Sequence, residues 1–374
     1  MPARARMDAT LSLLCDLIAI DSVNPGLVPG AAGERDISEA IAIELRRIGA
    51  DVEMTEIAPG RWNVVGVIAG RAKGRTLMLC GHSDTVGVEG MDAPFAPVVK
   101  DGRIYGRGAQ DMKGGCASIL GAARAIAEQG GLERGSLILA FVADEEYMSI
   151  GAEAVAQVWN ADGAIVCEPT DLTIAVGHKG FQWVEITTHG RAAHGSRPEE
   201  GKDAIVAMAP ILDGLRALEQ RFIAAPPHPL LGRPSVHASL ISGGRELSTY
   251  PDRCTLQIER RTVDGEADDI ALREVQTFAG DAEARHLFTR APYLTPRDSD
   301  LPELLDAAMG SGARRGAMTY WTDAAILGHA GIPTVIFGPG GEGLHGLSEY
   351  VRAEEVVACR DALVRVVRAF GGRE

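Results

Sequence analysis

The stretch TLMLCGHSDTV, residues 76–86, joins an apolar run to a histidine and an aspartate that lie two positions apart. An apolar run without alternation is typical of a strand that is covered on both faces. Side chains two positions apart on an extended segment point to the same face, so His82 and Asp84 can contact each other or one common ligand. The stretch therefore predicts a buried strand that ends either in a polar edge or in a site.

The composition excludes some classes of partner. The chain has 51 acidic residues against 37 lysines and arginines, which gives a formal net charge of -14. Such a surface repels nucleic acid and anionic membranes, and no local run of lysine and arginine compensates for it. We therefore expect neither nucleic acid nor a membrane as a partner.

The length and the cysteines bear on domain number and compartment. A chain of 374 residues, 46% of them hydrophobic, is longer than one compact domain usually needs, so two domains are expected. The six cysteines lie mostly in apolar runs without Cys-x-x-Cys spacing, which favours reduced thiols. The amino terminus lacks the apolar core of a signal peptide, and no apolar run is long enough to span a membrane. A cytoplasmic protein is predicted.

Strands and helices alternate in the first half of the chain. A helix with small and aliphatic residues is predicted at 114–131, ending in paired glycines. Short apolar strands surround it, and this alternation is typical of an α/β fold with a mostly parallel sheet flanked by helices. These strands are NVVGVIAG (63–70), TLMLC (76–80), SLILAFVA (136–143) and GAIVC (163–167).

The pattern changes after about residue 178. Strand, helix, strand, strand, helix and strand follow in the order βαββαβ, which is that of a ferredoxin-like α+β unit. The apolar strand PTVIFG at 333–338 and a helix at 352–370 then resume the α/β pattern. We therefore predict one domain at residues 1–178 and 295–374, with a second domain inserted at 179–294.

Polar side chains follow the apolar strands. Ligands of open α/β sheets bind beyond the carboxyl ends of the strands, so these side chains are candidates for one site. A set of histidines and carboxylates without cysteine suits zinc or a related divalent ion in a hydrolytic site. Two such ions would need one bridging carboxylate and a histidine and a carboxylate each. The candidates are His82, Asp84, Asp111, Asp144, Glu145, Glu146, Glu168 and His345.

Some of these candidates can have other roles. Asp84 can accept the second N–H of the His82 imidazole and so set its tautomer. Glu145 and Glu146 are adjacent, so they must lie where the strand is already turning, with one as a ligand and the other as a general base. Each residue also has a structural alternative, such as a solvated acidic turn or a helix-start carboxylate at Asp111. Their common position at strand ends favours a site.

The motifs GHSDTV, YGRGAQDMKGG, DEE, CEPT and FGPGGEGLHGLSEYV, in this order, resemble the co-catalytic di-zinc exopeptidase and deacylase family. That family includes acetylornithine deacetylase, succinyl-diaminopimelate desuccinylase, aminoacylase and glutamate carboxypeptidase. The resemblance covers nearly the whole chain. It implies a zinc-exopeptidase-like catalytic domain, an inserted lid and dimerisation domain, and a homodimer formed through that insertion.

The resemblance also implies roles for single residues. His82 and Glu168 would hold one divalent ion and Glu146 and His345 the other, with Asp111 bridging them. The ions would be zinc, with cobalt or manganese as alternatives. Glu145 would be the general base and Asp84 the partner of His82, and the peptide between Asp111 and Met112 is predicted to be cis.

The inserted domain would contribute two further residues. RAAHGSRPEEGKDAI resembles the histidine motif of the family, so His194 would stabilise the oxyanion, in the active site of the partner subunit. Arg261 falls where the family binds the carboxylate of the substrate. Ser248 stands where many members have asparagine. Structural alternatives are a surface turn for His194 and an edge ion pair for Arg261.

The expected activity is hydrolysis of an amide bond in an N-acyl amino acid, as in acetylornithine deacetylase, with Glu145 as the base. A dipeptidase or carboxypeptidase activity on the same scaffold is the alternative. A metal-dependent binding protein without catalysis is a further alternative, which the presence of both ligands and base disfavours. The sequence does not distinguish between acyl groups.

Overall fold

The structure is a computed structural model and describes residues 7–310 and 312–372. The chain forms two compact units. The first comprises Met1–Val176, Thr295–Gly316 and Thr322–Glu374, and the second Gly177–Leu294 and Ala317–Trp321. Residues 1–6, part of the segment predicted to lack a signal peptide, lie outside the described residues.

The helices and strands follow the alternation that the sequence predicts, with several short strands in addition. The helices are α1 (Ala9–Ile18), α2 (Arg35–Arg47), α3 (Gly114–Glu128), α4 (Ile150–Val158), α5 (Ala209–Ala224), α6 (Ile270–Gln276), α7 (Leu301–Met309), α8 (Ala324–His329) and α9 (Ala353–Gly371). The strands are β1 (Asp51–Ala58), β2 (Arg61–Ala69), β3 (Ala72–His82), β4 (Val98–Lys100), β5 (Arg103–Tyr105), β6 (Arg134–Val142), β7 (Gly163–Val166), β8 (Thr173–His178), β9 (Gly180–His189), β10 (Ser235–Gly243), β11 (Arg253–Thr262), β12 (Glu283–Arg290), β13 (Tyr293–Leu294), β14 (Arg314–Met318), β15 (Thr334–Ile336), β16 (Gly341–Glu342) and β17 (Tyr350–Arg352).

The first unit is built on a central sheet in the order β1-β2-β6-β3-β7-β15-β8. The pairs β3/β6, β3/β7 and β7/β15 are parallel, whereas the outer pairs β1/β2, β2/β6 and β8/β15 are antiparallel. The predicted α/β fold is thus confirmed, with parallel pairs at the centre of the sheet and antiparallel pairs towards its edges. The carboxyl ends of β3, β6 and β7 meet at one edge of this sheet.

Helix α3 anchors that edge to the core. Its residues Cys116, Ile119, Ala123 and Ile126 recur at helical spacing and are fully buried. Burying a side chain such as Ile119 stabilises the fold by roughly 1.5–3 kcal/mol. The apolar stripe holds α3 against the sheet, so the loop that precedes the helix starts from a rigid base.

A small separate sheet, in the order β16-β17-β5-β4, was not predicted. Two of its strands, β16 and β17, follow β15, so PTVIFG is not the last strand of the chain. His345 lies in the connection between β16 and β17. The sequence analysis did not predict the two strands on either side of His345, because strands of two or three residues have too little pattern to detect.

The second unit has the predicted order βαββαβ, formed by β9, α5, β10, β11, α6 and β12. Its sheet has the order β10-β11-β9-β12, and each neighbouring pair is antiparallel. Side chains from α5 and α6 pack with one face of the sheet. This unit also includes Ala317–Trp321, which the prediction placed with the other domain. The division into catalytic and lid roles stays a prediction.

No helix within the described residues is sufficiently long and apolar to cross a lipid bilayer.

Candidate metal centre

His82 lies at the carboxyl end of β3 and is almost fully buried. Its Nδ1 lies 3.0 Å from the carbonyl oxygen of Asp84, which can only accept a hydrogen bond, so Nδ1 carries a proton. In the neutral ring Nε2 is then unprotonated, and it lies 2.9 Å from Oδ1 of Asp111. Two acceptors at this distance require a proton or a metal cation between them.

Asp84 is fully buried, but its carboxylate is not the nearest partner of His82. The distance from Nδ1 of His82 to Oδ1 of Asp84 is 3.6 Å, longer than a hydrogen bond. The carboxylate accepts hydrogen bonds from Asn24 at 2.7 Å and from the backbone N–H groups of Glu145 at 3.1 Å and Glu146 at 3.2 Å. Asp84 therefore orients His82 through its carbonyl group and holds the turn of Glu145 and Glu146 through its side chain.

Asp111 lies between the two histidines. Its Oδ1 faces Nε2 of His82, and its Oδ2 lies 3.4 Å from Nε2 of His345. The residue belongs to an irregular turn, Ala109–Lys113, that leads into α3, and the peptide between Asp111 and Met112 is cis, as predicted. The two oxygens of one carboxylate thus face two different imidazoles.

Glu349 holds the loop that carries Asp111, and it was missed by sequence reasoning. Its Oε1 accepts hydrogen bonds from the backbone N–H groups of Gln110 at 2.8 Å and Asp111 at 3.1 Å. Its Oε2 accepts from the N–H of Gly108 at 3.0 Å and from the guanidinium of Arg107 at 2.7 Å. The only signal in the sequence is an acidic residue four positions after His345, which does not predict these partners.

Glu145 and Glu146 follow the end of β6 at Val142 and lie in a turn, as predicted. The carbonyl group of Asp144 accepts hydrogen bonds within this turn, including one of 2.6 Å from the N–H of Ser149. The side chain of Asp144 accepts from Asn24 at 3.0 Å and pairs with Arg61 at 2.8 Å. Because the turn is held from both sides, the two glutamates can point in different directions.

Glu146 and Glu168 lie on opposite sides of the Asp111 carboxylate. Oε2 of Glu146 is 3.2 Å from Nε2 of His345, and Oε1 of Glu168 is 3.8 Å from Nε2 of His82. Among the described residues, Oε1 of Glu146 and Oε1 of Glu168 are buried without a hydrogen-bond partner. A buried carboxylate oxygen without a partner is costly, so these two atoms fit a site that binds a cation.

The electrostatics of the cluster lead to the same conclusion. Burial, together with the charge of Asp111, raises the pKa of Glu146 to about 7. Burial and the charge of Glu168 raise the pKa of Glu145 well above its ordinary value. Hydrogen bonds to Asp111 and Glu146 raise the pKa of His345 to about 10. Burial and mutual repulsion thus disfavour the charged forms of these two glutamates, an effect that nearby cations would offset.

The residues present fit a pair of divalent cations. Histidine nitrogen and carboxylate oxygen are the donors that zinc and related ions accept. Ligand atoms lie within 4.8 Å of one another in two groups, His82 with Glu145 and Glu168, and His82 with Asp111 and Glu146. Glu145 thus lies as close to His82 and Glu168 as a ligand would. The distance from Glu145 to these residues does not decide whether it is a ligand or a general base.

His194 lies in the second unit, in an exposed loop. The backbone N–H of Ser196 donates to its Nδ1 at 3.2 Å, so the proton of the neutral ring is on Nε2. The loop is held to the segment around Ser248 by a hydrogen bond of 2.7 Å from the N–H of Gly195 to the carbonyl of Ser248. His194 is therefore a hydrogen-bond donor at Nε2, the opposite of His82.

Arg261 also lies in the second unit, on the face of β11 that α5 and α6 leave open. Its neighbour Arg260 is buried on the other face, where its Nε pairs with Glu274 at 3.1 Å. Nε of Arg261 donates to Glu259 at 2.7 Å, and the side chain is 29% exposed. Within residues 7–310 and 312–372 the two Nη groups of Arg261 make no hydrogen bond, so they remain available to a ligand.

Histidines and carboxylates at the carboxyl edge of a parallel sheet are typical of metal-dependent hydrolases. The model of peptidase family M20/M25/M40 matches residues 78–369 of this chain. The chain therefore belongs to this family of hydrolases.

Individual relatives agree with this assignment. An acetylornithine deacetylase from Myxococcus xanthus is 31% identical over 331 residues, covering 83% of this chain and 85% of the relative. The crystal structure of a tripeptidase from Staphylococcus aureus has a TM-score of 0.79 at 22% identity, covering 97% of this chain and 98% of the other. A dinuclear metal-binding M20 peptidase from Bacillus subtilis has a TM-score of 0.69 at 18% identity, covering 96% of this chain and 98% of the other. The two structures share the fold.

Proposed function

We propose that this protein is a metal-dependent amide hydrolase that removes the acyl group from an N-acyl amino acid. The observation that carries the proposal is the position of Asp111, whose two carboxylate oxygens face His82 and His345. Glu168 lies beside the first histidine and Glu146 beside the second. One shared carboxylate with a histidine and a glutamate on each side is the donor set that two hydrolytic metal ions require.

In this proposal His82 and Glu168 would hold one divalent cation, Glu146 and His345 would hold the other, and Asp111 would serve both. Zinc is proposed first, with cobalt or manganese as alternatives, because nitrogen and oxygen donors suit all three. Cations bound there supply Lewis acidity, which acidifies a water molecule and polarises a carbonyl oxygen. The Nδ1–H of His82 stays on the carbonyl of Asp84 and keeps Nε2 directed at the cluster.

Glu145 is the proposed general base. The proposal is supported by the burial and the charge of Glu168 that raise the pKa of Glu145, because a general base must hold a proton between two steps. Glu145 accepts a proton from the attacking water as the water oxygen bonds to the carbonyl carbon. It then donates that proton to the amide nitrogen as the carbon–nitrogen bond breaks. A carboxylic acid and an amine form, and the proton of the acid passes to the amine, so a carboxylate and an ammonium ion leave.

The second unit supplies two groups in this proposal. Nε2–H of His194 donates a hydrogen bond to the carbonyl oxygen as negative charge develops on it. The Nη groups of Arg261 bind the α-carboxylate of the substrate, since a guanidinium matches a carboxylate with two parallel hydrogen bonds. An N-acyl amino acid has both the amide bond and the carboxylate that this arrangement uses.

A dipeptidase or carboxypeptidase activity is the second candidate. A dipeptide also has an amide bond next to a residue with a free carboxylate, so the proposed role of Arg261 applies to both substrates. The fold is shared with a tripeptidase. The third candidate, a binding protein without catalysis, is disfavoured because candidates for both the ligands and the general base are present.

A metal-reconstitution assay tests the proposal. The protein is stripped with a chelator, reloaded with zinc, cobalt or manganese, and assayed against a panel of N-acyl amino acids and dipeptides. Hydrolysis that is lost on stripping and restored by metal supports the proposal, and the preferred substrate separates deacylase from dipeptidase. Activity that is unaffected by stripping, or no activity with any metal and substrate, would overturn it.

We also propose that the protein is a homodimer formed through residues 179–294, and that it is cytoplasmic. The dimer proposal is supported by β10, an edge strand of the second sheet. Leu240 and Ile241 on this strand are 67% and 56% exposed. Exposed apolar residues on a sheet edge favour pairing with another chain.

The dimer can be tested by light scattering coupled to gel filtration. Leu240→Lys should convert a dimer into a monomer, because a buried unpaired charge destabilises an interface. Leu212→Lys, at a 41% exposed position on α5, is the comparison that shows whether the helix belongs to the interface. A wild-type protein that is monomeric across the accessible concentration range would overturn the proposal.

A further inference from the structure

The open face of the sheet in the second unit carries two rows of side chains across its strands. In the first row Phe181 of β9 is flanked by Arg261 of β11 and Arg290 of β12. In the second row Trp183 is flanked by Glu259 and Phe288. Directly opposed side chains on one face of a sheet contact each other, so these six form one continuous surface.

The three aromatic rings of this surface, Phe181, Trp183 and Phe288, are in mutual contact. Ring centroids are 5.2 Å apart for Phe181 and Trp183, 5.5 Å for Trp183 and Phe288, and 5.9 Å for Phe181 and Phe288. All three side chains are half-buried rather than enclosed. We call these three residues the aromatic platform. Apolar rings left partly open to solvent are typical of a surface that receives a ligand.

The aromatic platform is joined to Arg261. The guanidinium carbon of Arg261 lies 5.4 Å from the centroid of Phe181. Glu259 connects the two rows, because it accepts a hydrogen bond from Nε of Arg261 at 2.7 Å and from Nε1 of Trp183 at 3.0 Å. Trp183 thus orients Glu259, and Glu259 orients Arg261, so the cation keeps a defined position beside the rings.

The charge around Arg261 remains positive despite this pairing. Burial and the positive charge of Arg261 lower the pKa of Lys179, which places a second cation near the first. Glu259 is the carboxylate that pairs with Arg261, and Lys179 is a further cation beside that pair. An anion is therefore attracted to this surface, and a second ammonium group is repelled.

We propose that the substrate has an aromatic or other large apolar side chain next to its carboxylate, so that the carboxylate binds Arg261 and the side chain packs on the aromatic platform. This inference rests on the proposed function, which assigns the carboxylate to Arg261. An aromatic α-amino acid fits because its ring and its carboxylate branch from neighbouring carbons. Ornithine does not fit, because its ammonium group would face the cations of the surface.

The first test compares N-acetyl-L-phenylalanine, N-acetyl-L-alanine and N-acetyl-L-ornithine with the metal-loaded protein. The wild type is assayed for kcat/KM, and the Glu145→Gln variant for binding by calorimetry. We expect the phenylalanine compound to exceed the alanine compound by about tenfold or more in kcat/KM and in binding affinity, as an apolar contact of this size predicts. The ornithine compound should be no better than the alanine compound.

The outcomes separate this inference from the proposed function. Hydrolysis with the expected preference for the phenylalanine compound supports the inference and the proposed function. Hydrolysis without this preference overturns the inference alone. Preferential binding of the phenylalanine compound without hydrolysis supports the inference and counts against amide hydrolysis. If neither hydrolysis nor preferential binding is observed, the inference and the proposed function are both overturned.

The second test locates the preference. Phe288→Leu should lower the ratio of phenylalanine to alanine kcat/KM by about tenfold, because it removes one ring of the platform. Phe278→Leu is the matched control, since Phe278 packs with the core on the helix face of the same sheet, and it should leave the ratio unchanged. An unchanged ratio in Phe288→Leu, or an equal fall in both variants, would overturn the aromatic platform as the specificity surface.

Discussion

His82 and His194 are the same residue type in opposite environments. His82 is buried and donates through Nδ1, so Nε2 can act as a ligand. His194 is exposed and accepts at Nδ1, so Nε2 carries the proton and can act as a donor. The partner of Nδ1, and not the residue type, decides whether an imidazole can bind a metal or stabilise an anion.

The regions around these histidines differ in the same way. The cluster of the first unit is held by buried groups such as Asp84 and Glu349, each with several hydrogen bonds. Arg261 of the second unit is partly exposed, and in the part of the chain that the structure describes its two Nη groups donate no hydrogen bond. The first region is held by many buried hydrogen bonds, whereas Arg261 is held through its Nε by Glu259 and leaves its Nη groups to a ligand.

The largest effect is expected from Glu145→Gln. The amide has the size of the carboxylate but cannot transfer the proton, so kcat should fall by about 10²-fold or more. Metal content, measured by elemental analysis, should stay near that of the wild type. Loss of metal in this variant would place Glu145 among the ligands, which its proximity to His82 and Glu168 permits.

His194→Ala tests the exposed histidine. Removing one hydrogen-bond donor to a developing oxyanion should lower kcat by about 10²-fold without changing metal content. If His194 acts in the site of the partner subunit, mixing this variant with Glu145→Gln should restore part of the activity, because one site of the mixed dimer has both groups. Subunit exchange without recovery would contradict a shared site.

Glu349→Gln tests how strongly the buried region depends on its supporting contacts. The amide places N–H groups where backbone N–H groups now donate, so the loop that carries Asp111 should shift. Metal affinity should fall by about 10- to 100-fold, as is typical when a residue that orients a ligand is changed. The measurement is the dissociation constant of zinc from competition with a chelator.

The control for Glu349→Gln is Glu342→Gln, an exposed acidic residue of β16 in the same small sheet. It should leave zinc affinity unchanged. Equal affinity in the wild type and in Glu349→Gln would show that the hydrogen bonds of Glu349 do not position Asp111.

The smallest effect is expected from Arg261→Lys. Lysine keeps the charge but loses the two parallel hydrogen bonds, so KM for an N-acyl amino acid should rise by about tenfold with little change in kcat. An amide substrate without a carboxylate should show no such rise. An equal change for both substrates would assign Arg261 to the ion pair with Glu259 alone.

The sequence by itself determined the order of the longer helices and strands and the candidate residues at the strand ends. Apolar runs of the first half and the order βαββαβ of the insertion are local patterns, so they predict strands and helices directly. His82, Glu145, Glu146 and Glu168 follow such strands. Because parallel strands end at one edge of a sheet, local position was enough to bring these four together.

Only the tertiary structure decided which atoms meet. Asp111 and Glu349 are 238 positions apart, and no local pattern relates them. The rows that contain Phe181 and Trp183 form only when three strands pair in the correct register. Turns and core packing together set that register. Periodicity reports the face on which a residue lies, whereas hydrogen-bond partners depend on which distant segments fold against that face.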